Sequence, residues 1–233
     1  MRTPPTVAVI IPAYNEEKSI GSVLRDIPSN WVQEVIVCNN ASTDQTAAVA
    51  TAQGATVLTE TQKGYGSACL KGIQYLAQKP LQQQPDIVVF LDGDYSDHPE
   101  ELPNLLHPIL HDKMDLVIGS RAQGNMERGA MQPQQIFGNW LATTLIRWLY
   151  NYHFTDLGPF RAVRWQTLLD MQMEDKDFGW TVEMQVRAAK MGVNCTEVPV
   201  TYRRRVGVSK ISGTVRGTFL AGYKILWTIF KLV

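Results

Sequence analysis

Cysteine, histidine and any excess of one charge are all scarce in this sequence. Its three cysteines, Cys38, Cys69 and Cys195, are scattered and form no CxxC pair. That excludes a disulfide scaffold and a thiolate zinc site, and fits reduced thiols in a cytosolic protein. His107 and His111 have i,i+4 spacing, but Pro108 stands where a zinc-protease helix carries Glu, so both are expected on a helix surface. Lys plus Arg and Asp plus Glu each number 22, for a net charge of +0. Without a basic excess, bulk nucleic-acid binding is excluded, because it needs a surface that displaces counterions. Long hydrophobic runs are missing as well. The apolar run after the N-terminus stops at Pro12, too short for a signal peptide, and the apolar C-terminal stretch is interrupted by Lys224. There is no GK[ST] phosphate loop, no internal repeat, and no low-complexity tract beyond Gln82–Gln84.

What is present is a chain of 233 residues, 45% hydrophobic and 19% charged, enough for a sizeable core. Its first half alternates strand-like and helix-like segments. Apolar, non-alternating runs at Val7–Ile11, Glu34–Cys38, Thr56–Thr59, Ile87–Leu91 and Leu116–Ile118 predict strands. Helices are predicted between them: 19–27 with Ser19 as N-cap, 43–53 ended by Gly54, 66–78, and one starting after Pro99. The pattern predicts an α/β fold with a mostly parallel sheet flanked by helices. Ligands of such sheets bind beyond the carboxyl ends of the strands.

The second half differs. Residues 119–133 have no period and predict a long loop. Helices are predicted at 136–152 and 181–191, and a strand at 196–202. In the first of these helices Phe137, Trp140 and Trp148 are expected in the core. The last stretch, 214–233, is apolar around most of its circumference, with Arg216, Lys224 and Lys231 on one narrow face. It reads either as an amphipathic helix lying in a membrane interface or as a helix packed on the domain.

Chemistry is expected at the strand ends. Asp92-Gly93-Asp94 follows the fourth strand, and two carboxylates so placed can hold one hard divalent cation together with phosphate oxygens. A plain turn is the alternative. Three polar or Gly-rich loops should open on the same edge: 12–16, 39–44 and 63–68.

The motifs Val9–Glu16, Ser42–Asp44, Lys63–Gly66, Asp92–Asp94, Gly119–Arg121, Gly158–Arg161, Glu197–Pro199 and Gly207–Lys210 occur in one order along nearly the whole chain. In that order the sequence resembles the family-2 glycosyltransferases of GT-A fold, and within them the dolichyl- or polyprenyl-phosphate sugar synthases. The resemblance implies one domain over 1–233, with a nucleotide-binding half at about 1–120, an acceptor half at 121–212 and an interfacial helix at 213–233. It implies an inverting hexosyl transfer from a GDP-mannose or UDP-glucose type of donor to a polyprenyl phosphate, on the cytoplasmic face of a membrane. Pro12, Ala13, Tyr14, Glu16, Asn39, Asn40, Lys63, Gly64, Asp92, Gly93, Arg205, Ser209 and Lys210 would bind the nucleotide sugar. Asp92 and Asp94 would hold Mg²⁺ or Mn²⁺. Asp94, Arg121 and Glu183 would be catalytic, with Arg121 and Arg128 at the acceptor phosphate.

The sequence departs from the family at three places: Asn39-Asn40 replaces Asp-Asp, Ser96 replaces a metal-binding Gln, and Gln134 replaces an Arg. The run Arg203–Arg205 reads as phosphate-binding or as a solvated strand end. A lipid phosphate is already anionic and needs no general base. Two rival readings stand. A transferase with a soluble hydroxyl acceptor would need a base such as Asp156 or Glu183, and a non-catalytic protein would only bind the sugar nucleotide.

Overall fold

The computed structural model describes residues 5–207 and 215–232. Seven strands form one sheet in the order β3-β2-β1-β4-β6-β5-β7. They are β1 (Val7–Ala13), β2 (Glu34–Asn40), β3 (Thr56–Glu60), β4 (Ile87–Phe90), β5 (Leu116–Ser120), β6 (Arg161–Arg164) and β7 (Cys195–Pro199). All neighbours are parallel except at β6, which is antiparallel to both β4 and β5. The helices are α1 (Ile20–Asp26), α2 (Thr46–Ala52), α3 (Tyr65–Ala77), α4 (Leu102–His111), α5 (Pro133–Tyr150), α6 (Trp165–Asp170), α7 (Trp180–Met191) and α8 (Val215–Lys231).

The strands are apolar on both faces because both faces are covered. Ala8 and Ile10 of β1 join a core with α3, α5, α7 and α8, whereas Val7, Val9 and Ile11 join a second core with α1, α2 and α4. The predicted strand limit at Pro12 is corrected: β1 runs on to Ala13, pairing Pro12 with Cys38. Ile10 faces β4, and so does Pro12 two residues later, but β4 pairs only as far as Phe90. The missing N–H of Pro12 therefore points where no strand remains to accept it.

Two elements escaped the sequence pattern, β6 and α6. The strand has only four residues, begins with Arg161 and carries no periodicity. Arg161 is fully buried and donates to the carbonyl oxygens of Gly158 (3.0 Å), Leu157 (3.1 Å) and Thr181 (3.0 Å). Burial lowers its guanidinium to about 10. The predicted strand at 196–202 shortens to β7, with Tyr202 forming isolated bridges to Asp97 and Met126.

The aromatics of α5 are a second correction. Phe137, Trp140 and Trp148 are 58–78% exposed, and the helix buries Ala142, Thr143 and Ile146 instead. Helix α8 packs on α5 and α7 through Thr228 and Ile229, yet leaves Leu220, Tyr223, Trp227 and Phe230 exposed. Its lysines do not form a free basic face: Lys224 pairs with Asp175 at 3.1 Å and Lys231 approaches Glu174 at 4.0 Å. Among the described residues no helix is long and apolar enough to cross a membrane.

Candidate functional site

The carboxyl ends of β1, β2 and β4 open on one edge, and there the structure forms a cavity of about 250 Å³. Pro12, Ala13, Tyr14, Glu16, Asn40, Lys63, Gly64, Asp92, Gly93, Asp94 and Arg205 line it, so most residues named from the sequence meet in one place. Asn39 sits behind this wall, its Oδ1 accepting the Ser42 N–H. Ser209 and Lys210 lie outside the described residues. Lys63 stands over the Tyr14 ring, 5.5 Å from its centroid.

Asn40 explains one departure from the family pattern. Its amide donates to the carbonyls of Gln62 (2.7 Å) and Glu60 (3.5 Å), while its Oδ1 accepts the Gly64 N–H (2.8 Å). A carboxylate could not donate, so the amide ties β2 to the loop before α3.

The Asp92–Asp97 turn carries three carboxylates. Asp94 is held on both sides. Its Oδ1 accepts from Ser96 N (2.9 Å) and Oγ (2.5 Å), and its Oδ2 faces Arg205 Nη1 at 3.0 Å. Ser96 thus orients Asp94. Asp92 faces the cavity, while its Oδ1 is buried without a hydrogen-bond partner among the described residues. Burial, reinforced by Asp94, pushes its carboxyl up to about 7. Asp97 is buried as well, and burial with its two acidic neighbours raises its carboxyl well above the ordinary range. Among the described residues no three His, Cys, Asp or Glu converge on one cation position. Asp92 and Asp94 still fit a hard divalent cation, because such ions complete their shells with phosphate oxygens and water, and Asp92 Oδ1 has no hydrogen-bond partner among the described residues.

A second cavity of about 290 Å³ adjoins the first, sharing Tyr65, Asp92, Phe178 and Arg205. It is lined further by Arg121, Met131, Gln134, Gly138, Leu157, Tyr202, Gly222 and Ile225, and so runs between α5 and α8. Arg121 holds Asp156 in a fork, Nε at 2.8 Å and Nη2 at 2.6 Å, and its own N–H donates to the same carboxylate. Asp156 raises the Arg121 guanidinium above its ordinary value despite burial, which acts the other way. Glu197 accepts the N–H groups of Thr155 and Asp156, fixing that corner.

The run of three arginines divides its work. Segment 202–206 lies beside 94–97, with Arg203 N donating to Ser96 O and Val206 N to Asp94 O. Arg203 stacks 3.6 Å over Tyr95, Arg204 donates to the Arg128 carbonyl at 2.9 Å, and only Arg205 lines the cavities. Arg128 is exposed and lines neither cavity.

Glu183 is also placed elsewhere. Its carboxylate accepts the N–H groups of Glu174 and Asp175 and pairs with Arg187 at 2.9 Å, so it braces the loop before α7. That loop presses on the start of α3. Lys176 and Asp177 accept the N–H groups of Ser67 and Gly66, and a Cβ on Gly66 would sit 1.9 Å from the Asp175 carbonyl oxygen. The loop delivers Phe178 to both cavities. Sequence reasoning missed Phe178, Tyr65 and Asp97. Tyr65 lay in plain view inside Lys63–Gly66; the others carry no local signal.

Comparison with known proteins agrees with this geometry. The glycosyl transferase family 2 model matches residues 8–169. An uncharacterized glycosyltransferase of Mycobacterium tuberculosis is 36% identical over 224 residues, 92% of this chain and 94% of the relative. The undecaprenyl-phosphate mannosyltransferase of Micrococcus luteus is 35% identical over 228 residues, 91% of this chain and 89% of that one. The dolichyl-phosphate hexose transferase of Haloferax volcanii is 33% identical over 208 residues, covering 88% and 86%. Among solved structures, glucosyl-3-phosphoglycerate synthase from M. tuberculosis, in complex with Mn²⁺, UDP and glucosyl-3-phosphoglycerate, superposes with a TM-score of 0.75 at 23% identity, over 98% of this chain and 80% of that one. The sheet with its single reversed strand, the strand-end cavity and the sequence match agree: this chain is an enzyme of glycosyl transferase family 2, with the GT-A fold.

Proposed function

We propose that this enzyme moves a hexose, with inversion, from a nucleoside-diphosphate sugar to the phosphate of a polyprenyl lipid at a membrane surface. The observation that carries the reading is the pair of joined cavities. The first has the strand-end loops and Asp92/Asp94, and takes the donor. The second has Arg121 at depth and Met131, Leu157 and Ile225 along its wall, a lining that suits an acceptor with an anionic head and an apolar tail. The exposed apolar side chains of α5 and α8, among them Trp140 and Trp227, supply a surface for the acyl boundary. The curated relatives named for undecaprenyl and dolichyl phosphate support the lipid.

The chemistry assigned to each group follows from charge. A divalent cation on Asp92 and Asp94 would neutralise the departing diphosphate as a Lewis acid. In the structure Arg205 sits on Asp94 at 3.0 Å, and we assign it to the donor diphosphate once a cation takes that carboxylate. Arg121, held in place by Asp156, would offer its remaining N–H donors to the acceptor phosphate. A phosphate oxygen attacks the anomeric carbon, the bond to the diphosphate oxygen breaks, and the nucleoside diphosphate leaves with the electron pair. Phosphate needs no base to deprotonate it at neutral pH. Phe178 and Tyr65, at the junction of the cavities, would exclude water from the anomeric centre.

The test is transfer from radiolabelled UDP-glucose and GDP-mannose to undecaprenyl phosphate or 3-phosphoglycerate, with Mn²⁺ or EDTA. The expected label enters the organic phase and does so only with the metal. Label found only in a water-soluble product would replace the lipid with a soluble phosphorylated acceptor, which the phosphoglycerate-using fold neighbours make the second reading.

A further inference from the structure

Two helix interiors carry glycines that neither packing nor backbone geometry calls for. Gly138 lies in α5 and Gly222 in α8, each several residues from either end of its helix. Glycine in mid-helix is less stable than alanine, because it gives up more backbone freedom on folding. Such a glycine usually answers to a crowding neighbour or to a function. Gly72 of α3 answers to a neighbour: a Cβ there would sit 2.8 Å from Ile10 Cγ2. Gly138 and Gly222 are different. A Cβ at either would meet nothing within 4 Å among the described residues, and neither has a positive φ.

Both glycines open onto the second cavity, whose wall α5 and α8 share. On α8, Gly222 and Ile225 stand one turn apart on the lining face; on α5, Gln134 and Gly138 do. The wall beside them is tied down: Asn139 donates to Thr155 O at 3.0 Å and accepts the Leu157 N–H at 2.8 Å. Burial along the cavity is graded. The Arg121 side chain is 11% exposed, and Asp92, whose Oδ1 has no hydrogen-bond partner among the described residues, marks the junction with the donor cavity. Gly222 is exposed, and the exposed aromatics Phe137 and Tyr223 stand next to the two glycines in sequence. A passage thus runs from a buried guanidinium to an apolar rim, and its width between α5 and α8 is set where two side chains are missing. We propose that Gly138 and Gly222 are specificity-determining residues for the acceptor: they hold open the exit through which a methyl-branched isoprenoid chain leaves, while its phosphate stays at Arg121. A side chain at either position would narrow the passage for the chain and leave the phosphate end untouched. The proposal rests on the reading of the second cavity as the acceptor site. It adds that the acceptor is a chain, since a compact soluble phosphate has nothing to thread there.

The test uses the full chain, with each prenyl phosphate supplied in the same detergent. Transfer to undecaprenyl phosphate is compared with transfer to dimethylallyl phosphate, which has the same head and a single isoprene unit. The readout is the ratio of the two kcat/KM values, so a change in chemistry common to both cancels. Melting temperature is recorded alongside. Gly138→Leu and Gly222→Leu should each lower the ratio about tenfold, by overfilling space that the chain needs. The double variant Gly138→Ala with Gly222→Ala is the milder probe, and carries the measurement where a leucine does not fold. It should melt about 4–8 °C above wild type, as two helix-interior glycines become alanine, and lower the ratio several-fold. An unchanged ratio in a folded variant overturns the proposal and leaves lipid transfer by the wild type standing. An alanine double variant that melts below wild type overturns it too, because the space is then not empty. Wild-type transfer to 3-phosphoglycerate and to neither prenyl phosphate removes the lipid reading, and this proposal with it.

Discussion

Two arginine–aspartate pairs flank the joined cavities, and they are built differently. Arg121 and Asp156 meet in a two-bond fork with side chains 11% and 1% exposed, and backbone N–H groups and Glu197 lock the surrounding corner. Arg205 reaches Asp94 through one nitrogen, is 26% exposed, and lies on an extended segment held by a few backbone bonds. The first pair is a fixture; the second can be exchanged. The contrast teaches how one arginine can be held in a fixed ion pair while another keeps a single, more exposed contact that it can trade for a different partner.

Substitutions should separate the two pairs. Asp94→Asn is expected to lower kcat/KM by a factor of about 100 or more, through loss of cation-assisted charge neutralisation. Its unfolding free energy should stay within about 1 kcal/mol of wild type. Steady-state kinetics and urea denaturation check both, and transfer above a tenth of wild type removes Asp94 from the chemistry. Asp156→Ala should do the reverse to stability. It leaves the Arg121 guanidinium buried without its partner, and the chain should lose about 3 kcal/mol. A denaturation midpoint unchanged from wild type would show that the two pairs are alike after all.

The pH response sharpens the exchangeable side. With its carboxyl pushed up to about 7, Asp92 holds a proton that a cation must displace. Apparent Mn²⁺ affinity should therefore fall about tenfold per pH unit as pH drops below about 7. The stability of the metal-free chain has the opposite slope. Between about 4 and about 7 the folded state binds more protons than the unfolded chain, so stability decreases as pH rises. Isothermal titration and thermal melts across that window test the pair of signs. The smallest effect is expected at the apolar rim. Trp140→Ser with Trp227→Ser should weaken sedimentation with anionic vesicles several-fold while transfer to a short-chain acceptor persists. Equal sedimentation would assign that face to a second copy of the chain, which gel filtration would reveal.

Legibility from sequence followed range. The parallel half was readable because each strand is an apolar run and each turn has local chemistry, and Asp92-Gly93-Asp94 announced itself by position. Strand β6 was not, since its four residues are specified by the gap between β4 and β5. Phe137, Trp140 and Trp148 misled because apolar residues at helical spacing look the same in sequence whether they are buried in a core or left exposed. Glu183 looked catalytic by resemblance, and only the fold shows its oxygens occupied by the loop at 174–175.

The contact between α8 and the loop before α7 has a mechanical consequence. Gly179 lies so close to α8 that a Cβ there would sit 2.4 Å from Thr228 Oγ1, and Lys224 grips Asp175 four residues earlier in the loop. The same loop carries Phe178 into the cavities and caps the first amides of α3. The C-terminal helix is thus a splint for the cavity wall that carries Phe178. Displacing the helix would free Gly179 and Asp175 together and so loosen the segment that carries Phe178.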